Sequence, residues 1–211
     1  MLIVSHRGYW KVPAERNTLP AFERSFSCGF GIETDVRDLD GELVISHDPP
    51  RRPATSAGEL FELYRQTGVP DLPLALNMKA DGLQAMLKDL LAAYEITNYF
   101  VFDMSVPDTF SYVRQGMNVY TRQSDYETVP ACYEEACGVW LDEFSRHWIT
   151  EPAIRGHFSR GKQVCIVSPE LHGRPHLAAW GEYRSFREIV GSPKLSLCTD
   201  FPEQAREFFH G

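Results

Sequence analysis

The chain has 211 residues, 43% of them hydrophobic and 12% aromatic, with a formal net charge of −8 at pH 7. That length suits one domain with a full core. The acidic balance and scattered Lys and Arg argue against a nucleic-acid binder and against adhesion to anionic membranes, while a small anionic substrate needs only a local cation or metal.

The N-terminus, MLIVSHRG, has no basic region and only three apolar residues after Met1, so it reads as a strand over 2–5 rather than a signal peptide. A helix opens at Asn17-Thr18 with Pro20 in its first turn, carries Leu19, Phe22 and Phe26 on one face and stops near Gly29. A strand over 31–36 follows, then a short extension over 42–46 after the Asp40-Gly41 turn. Residues 56–67 are expected to be helical, ending at Gly68. A strand over 72–78 and a helix over 83–94, apolar at Leu87, Leu90 and Leu91, continue the alternation. Strands over 99–104, 118–121, 138–141, 163–167 and 195–198 complete it, with helical stretches between. Nothing approaches a membrane span. The five cysteines (Cys28, Cys132, Cys137, Cys165, Cys198) are odd in number, widely spaced and without a CxxC pair. They read as buried thiols in a reducing compartment, and the cytoplasm is the expected location.

Leaving the extension aside, eight strand–helix units run from end to end without linker or repeat. Such alternation calls for a parallel sheet with right-handed crossovers, and eight units close into a compact (β/α)8 TIM barrel, a single domain over 1–211 without a large insertion. A doubly wound open sheet is the alternative, but SHRGYWKVP lacks its usual glycine-rich phosphate turn.

In a barrel, active sites form at the carboxyl ends of the strands. The polar residues there are His6 and Arg7; Glu33, Asp35 and Arg37; His47 and Asp48; Asn77, Lys79 and Asp81; then Ser105, Arg122, Asp142, Glu143, Ser168, Thr199 and Asp200. Glu33 and Asp35, two residues apart on a strand, share a face, and two unpaired carboxylates that close repel until one takes a proton or a cation intervenes. Carboxylate and amide oxygens suit Mg²⁺ or Ca²⁺. The alternative is that both pair with Arg7, Arg37 or Lys79. His6 and His47 can divide acid and base roles near neutral pH, and a metal, an Arg and a Lys together suit a group that gathers negative charge, such as phosphate. His147, His157, His172, His176 and His210 fall in helix or loop contexts and carry no assigned role.

At these residues the chain resembles the glycerophosphodiester phosphodiesterase family, within the superfamily of phosphatidylinositol-specific phospholipase C. The pattern stands here as His6-Arg7-Gly8, Glu15-Arg16-Asn17-Thr18 with Ala21-Phe22, Glu33-Thr34-Asp35, Asp40-Gly41 and His47-Asp48, with Thr199-Asp200-Phe201-Pro202 at the last strand. The resemblance implies a barrel that cleaves phosphodiesters: His6 and His47 as acid/base pair, Glu33 and Asp35 as metal ligands, Arg7 and Lys79 as phosphate partners. It also implies attack on phosphorus by a neighbouring substrate hydroxyl and opening of the cyclic intermediate by water. Two departures stand out. Asn77 occupies the place of the family's third metal carboxylate, with Asp81 near enough to compensate, and Arg16 is inserted before Asn17. The segment over 49–71 is too short for an insertion covering the site.

The leading expectation is metal-assisted hydrolysis of a small alcohol–phosphate diester, glycerophosphodiester-like, with Mg²⁺ or Ca²⁺ held by Glu33, Asp35 and Asn77. The alternatives are a catalytically weakened barrel that binds a phosphorylated ligand, and a lyase that stops at the cyclic phosphate. The expected partner is the small-molecule phosphodiester, with no nucleic acid and no membrane span; the sequence leaves the oligomeric state open.

Overall fold

The computed structural model describes residues 1–68 and 72–211, which fall into two compact units, one of residues 5–119 and one of residues 1–4 with 120–211. Residues 69–71, at the end of the short segment over 49–71, lie outside the described residues.

The N-terminal unit takes up the end of β1 (Leu2–His6), then α1 (Leu19–Ser27), β2 (Gly31–Leu39), β3 (Glu42–Ile45), α2 (Ala57–Gln66), β4 (Leu74–Met78), α3 (Gln84–Ala93), β5 (Tyr99–Phe102) and α4 (Val106–Arg114). Its strands are ordered β5-β4-β2-β1, with β3 antiparallel on β2. Phe22 and Phe26 of α1 pack with Ile32, Leu60, Phe61 and Tyr64 in one apolar core. Pro20 sits in the first turn of α1, where its missing N–H leaves no bond unmade.

The C-terminal unit holds β6 (Tyr120–Ser124), β7 (Gly138–Asp142), α5 (Glu151–Ser159), β8 (Gln163–Val167), α6 (Leu177–Ser185), α7 (Arg187–Val190), β9 (Leu195–Thr199) and α8 (Pro202–His210). Its order is β6-β7-β8-β9-β1, parallel from β6 through β9. The strand order and alternation are those of the α/β class and the (β/α)8 barrel, as expected.

Three local features differ from expectation. First, β2 runs on to Leu39, because β3 folds back on it from Val36↔Ile45 to Leu39↔Glu42. Asp40 (φ +54°) and Gly41 (φ +82°) make the turn, both in the left-handed region a tight hairpin requires. Secondly, the segment over 125–137 holds turns instead of a helix. Ser124 Oγ accepts the N–H groups of Tyr126 (3.1 Å) and Glu127 (2.9 Å), which would otherwise start one, and Pro130 lacks an N–H. Thirdly, only Cys165 and Cys198 are buried, on β8 and β9. Cys28, Cys132 and Cys137 are half-buried, since Cys28 closes α1 and Cys132 lies in a loop. Among the described residues no cysteine is in a disulfide, and no helix is long and apolar enough to cross a membrane.

Candidate active site

The N-terminal unit gathers the expected residues at the carboxyl ends of its strands. Glu33 and Asp35 of β2 are 2% and 1% exposed, and the parallel register sets Asp35 beside Asn77 of β4. Asn77 is also buried, and its Nδ2 donates to Glu33 Oε1 at 3.3 Å. His6 Nε2 stands 3.8 Å from Glu33 Oε2, which also accepts the Arg7 N–H at 3.3 Å. Arg7 Nε lies 3.1 Å from Asp35 Oδ2, off the line of a hydrogen bond. Lys79 Nζ lies 3.5 Å from Asp35 Oδ1 and donates to Asp103 Oδ2 at 3.2 Å.

Local chain geometry fixes Arg7. Gly8 follows with φ +81°, and a Cβ there would come within 2.9 Å of the Ala21 Cβ and 3.0 Å of its carbonyl carbon. Only glycine fits, so the turn after β1 presses onto α1 and aims Arg7 at β2.

Glu33 is pushed up to about 7, first by burial and then by the negative charge of Asp35, against the pull of His6, Lys79 and Arg7. The expected repulsion is thus met partly by the raised proton affinity of Glu33 and partly by cations: Arg7 and Lys79 stand against Asp35, while the His6 ring lies 3.8 Å from Glu33. Arg37 takes no part, since its Nε donates to the His47 backbone oxygen at 2.9 Å.

His47 is placed differently from His6. It follows β3, its side chain is 47% exposed, and its Nδ1 pairs with Asp48 Oδ1 at 2.9 Å. Asp81, a possible substitute for the missing carboxylate, accepts from Ser105 Oγ at 2.7 Å. Glu15 accepts from Arg24 (2.9 Å) and from the Lys11 N–H (2.8 Å), and Arg16 lies 4.3 Å over the Trp10 ring.

Two residues with no expected role join the cluster. Asn17, expected only to open a helix, turns its side chain to Asp35: Nδ2 donates to Oδ2 at 2.8 Å, while Oδ1 accepts from Thr34 at 2.8 Å. Asp103 holds Lys79. Asn17 sat inside the motif, so its position was the signal; Asp103 offered none.

Among the described residues no group of three or more His, Cys, Asp and Glu side chains is placed to hold a metal ion. The oxygen chemistry around Asn77 nonetheless fits a hard cation. Asp35 Oδ1 and Asn77 Oδ1 are buried acceptors without a hydrogen-bond donor among the described residues, and both belong to neighbouring strand positions.

The strand-end polar residues of the C-terminal unit have local partners. Asp142 pairs with His172 at 2.9 Å, and Arg122 with Glu127. Glu143 accepts the N–H groups of Trp148 and Ile149, each at 2.8 Å, and pairs with His147 at 2.8 Å.

No family model matches the chain, and no curated protein matches it. Solved structures do. A candidate glycerophosphodiester phosphodiesterase from Galdieria sulphuraria is 19% identical with a TM-score of 0.77, covering 100% of this chain and 98% of that one. A glycerophosphodiester phosphodiesterase from Parabacteroides distasonis is 13% identical (TM-score 0.71, 99% and 96% covered). Another from Agrobacterium tumefaciens is 17% identical (TM-score 0.68, 99% and 98% covered). The chain has the fold of these phosphodiesterases. At such identities the likeness speaks for that phosphodiesterase fold, and the residues themselves must argue the chemistry.

Proposed function

We propose that the chain hydrolyses a phosphodiester with metal assistance, and that its substrate is a glycerophosphodiester or a similar small alcohol–phosphate diester. The observation that supports this most is the meeting of a buried carboxylate, Glu33, with His6, Arg7, Asp35 and Lys79 in one unit. The fold, shared with solved glycerophosphodiester phosphodiesterases, supports the same reading.

Arg7 and Lys79 bind the phosphate. Glu33, Asp35 and Asn77 hold Mg²⁺ or Ca²⁺, which when bound supplies positive charge to the phosphate oxygens. His6 and His47 move the protons: one accepts the proton of the substrate hydroxyl that attacks phosphorus, the other protonates the leaving alcohol. Water then opens the cyclic ester, with the proton roles reversed. We place this activity in a reducing, cytoplasmic setting on the pattern of the cysteines.

A second reading, a barrel that binds a phosphorylated ligand without turnover, is favoured by Asn77, a buried amide bonded to Glu33 that leaves the site one carboxylate short. The test is a screen of bis-aryl phosphodiester and glycerophosphodiesters with Mg²⁺, Ca²⁺ or a chelator, followed by ³¹P NMR. Turnover that the chelator abolishes is expected. Phosphate-ester binding with zero turnover selects the second reading, and a cyclic phosphate that accumulates marks a lyase.

A further inference from the structure

Three non-glycine residues with left-handed backbone belong to one ion network around Asp35. Arg7 (φ +56°) approaches Oδ2 at 3.1 Å, Asn17 (φ +58°) donates to it at 2.8 Å, and Asp103 (φ +71°) accepts from Lys79 at 3.2 Å. Left-handed backbone is uncommon at residues with a Cβ and persists where the surroundings enforce it, often at functional sites. Arg7 and Asn17 lie in the motif segments already described. Asp103 does not.

Asp103 is the first residue beyond β5, and Lys79 the first beyond β4, its parallel neighbour. The Lys79 ammonium therefore stands between two carboxylates. It is hydrogen-bonded to Asp103 Oδ2 at 3.2 Å, whereas Asp35 Oδ1 at 3.5 Å has no hydrogen bond among the described residues. Asp35 is 1% exposed and Asp103 26%. A carboxylate that deeply buried draws an ammonium more strongly than one in contact with water, and the lysine stem is flexible enough to obey. The observed geometry is the opposite: the shorter contact and the hydrogen bond fall on Asp103, whose left-handed backbone (φ +71°) sets the direction of its side chain.

We infer that Asp103 is a positioning residue for Lys79: it holds the ammonium off Asp35 and turned outward, where a substrate phosphate can reach it. The inference rests on the proposed phosphate-binding role of Lys79. Were Asp103 only a tie between strand ends, its removal would weaken the fold and leave ligand binding untouched.

The test is a double-mutant cycle of Asp103→Asn and Lys79→Met in the full chain, read by calorimetric titration with inorganic phosphate. In parallel, kcat and KM are measured on glycerophosphodiesters, and thermal unfolding on every variant. Asp103→Asn alone is expected to weaken phosphate binding roughly tenfold, yet by less than about twofold in the Lys79→Met background, because contacting residues couple and independent ones add. Asp103→Glu should recover most of the binding, and the kinetic loss should fall on KM more than on kcat. Equal effects of Asp103→Asn in both backgrounds, no effect in either, or no phosphate binding by the unaltered chain overturns the inference. A cycle that couples in a protein without diester turnover keeps Asp103 in its role and removes the proposed hydrolysis. Turnover with an additive cycle does the reverse.

Discussion

Burial separates Glu33 from every surface carboxylate of the chain. Loss of water comes first and the charge of Asp35 second in raising its titration from the ordinary 4.5 to about 7. A carboxyl whose folded value exceeds its unfolded one contributes stability fully below the unfolded value, and that contribution is lost as pH rises through the folded value. Between pH 4.5 and about 7, Glu33 therefore makes the fold progressively less stable. Melting curves of the unaltered chain and Glu33→Gln, both in chelator, should show a difference that moves against the unaltered chain across this window and is flat above it. A constant difference would mean that Glu33 does not titrate there. The histidines carry the chemical prediction: His6→Ala and His47→Ala should each lower kcat/KM by about two to four orders of magnitude, the usual worth of general acid–base catalysis. The His47 side chain is 47% exposed, so its removal should barely move the melting temperature, whereas loss of His6, 18% exposed and 3.8 Å from buried Glu33, should lower it as well. Near-normal activity in either variant would strike that histidine from the mechanism. At this scale the sequence was legible where spacing along one strand sets direction, as at Glu33 and Asp35. It was silent on Asp103, whose part depends on a left-handed backbone and on a lysine 24 positions away.

Strands and helices were legible in proportion to their apolar pattern. The helix was expected over 56–67, ending at Gly68, and α2 begins with a capping box: Ser56 Oγ accepts the Glu59 N–H at 3.1 Å while Glu59 accepts the Ser56 N–H at 2.7 Å. Ser56→Ala should destabilise the chain by about 1 kcal/mol in urea titration, the typical worth of such a cap, with kcat unchanged. A loss in kcat of tenfold or more would tie this helix start to the site. β6 was harder to read. The strand was expected over 118–121, but the polar run Thr121-Arg122-Gln123-Ser124 stays extended to Ser124, because its backbone pairs with β7 from Tyr120↔Gly138 to Ser124↔Asp142. Gly138 leaves room for the Tyr120 ring, which would otherwise lie 2.4 Å from a Cβ. Such pairing comes from the partner strand, and the local pattern of β6 does not contain it. The missing helix over 125–137 has the same origin: Asp125 caps the N–H groups of Phe144 and Ser145, each at 2.9 Å, tying two loops far apart in sequence.

The stability of the whole molecule offers a readout of the metal site that does not depend on turnover. Asn77 is buried, gives its amide N–H to Glu33, and keeps an oxygen without a donor among the described residues. Asn77→Glu exchanges that donor for a third carboxylate beside Glu33 and Asp35. Without metal, the change adds a buried charge among like charges and removes a hydrogen bond, so the melting temperature should fall. With metal, the added carboxylate attracts the dication, and after desolvation and ligand rearrangement the affinity should rise roughly ten- to a hundredfold. A ligand that binds only the folded state stabilises it in proportion to the logarithm of its affinity, so that gain adds about 1.4–2.7 kcal/mol at saturating metal. For a chain of this size that is roughly 3–10 °C. The substitution should therefore lower the melting temperature in chelator and widen the gap between chelator and millimolar Mg²⁺ or Ca²⁺. Glu33→Gln, which removes a proposed ligand, should narrow the same gap. If Asn77→Glu lowers the melting temperature equally in chelator and in metal while Glu33→Gln still narrows the gap, Asn77 lies outside the metal's reach. Its unpartnered oxygen would then face the substrate, and the cation would rest on Glu33 and Asp35 alone.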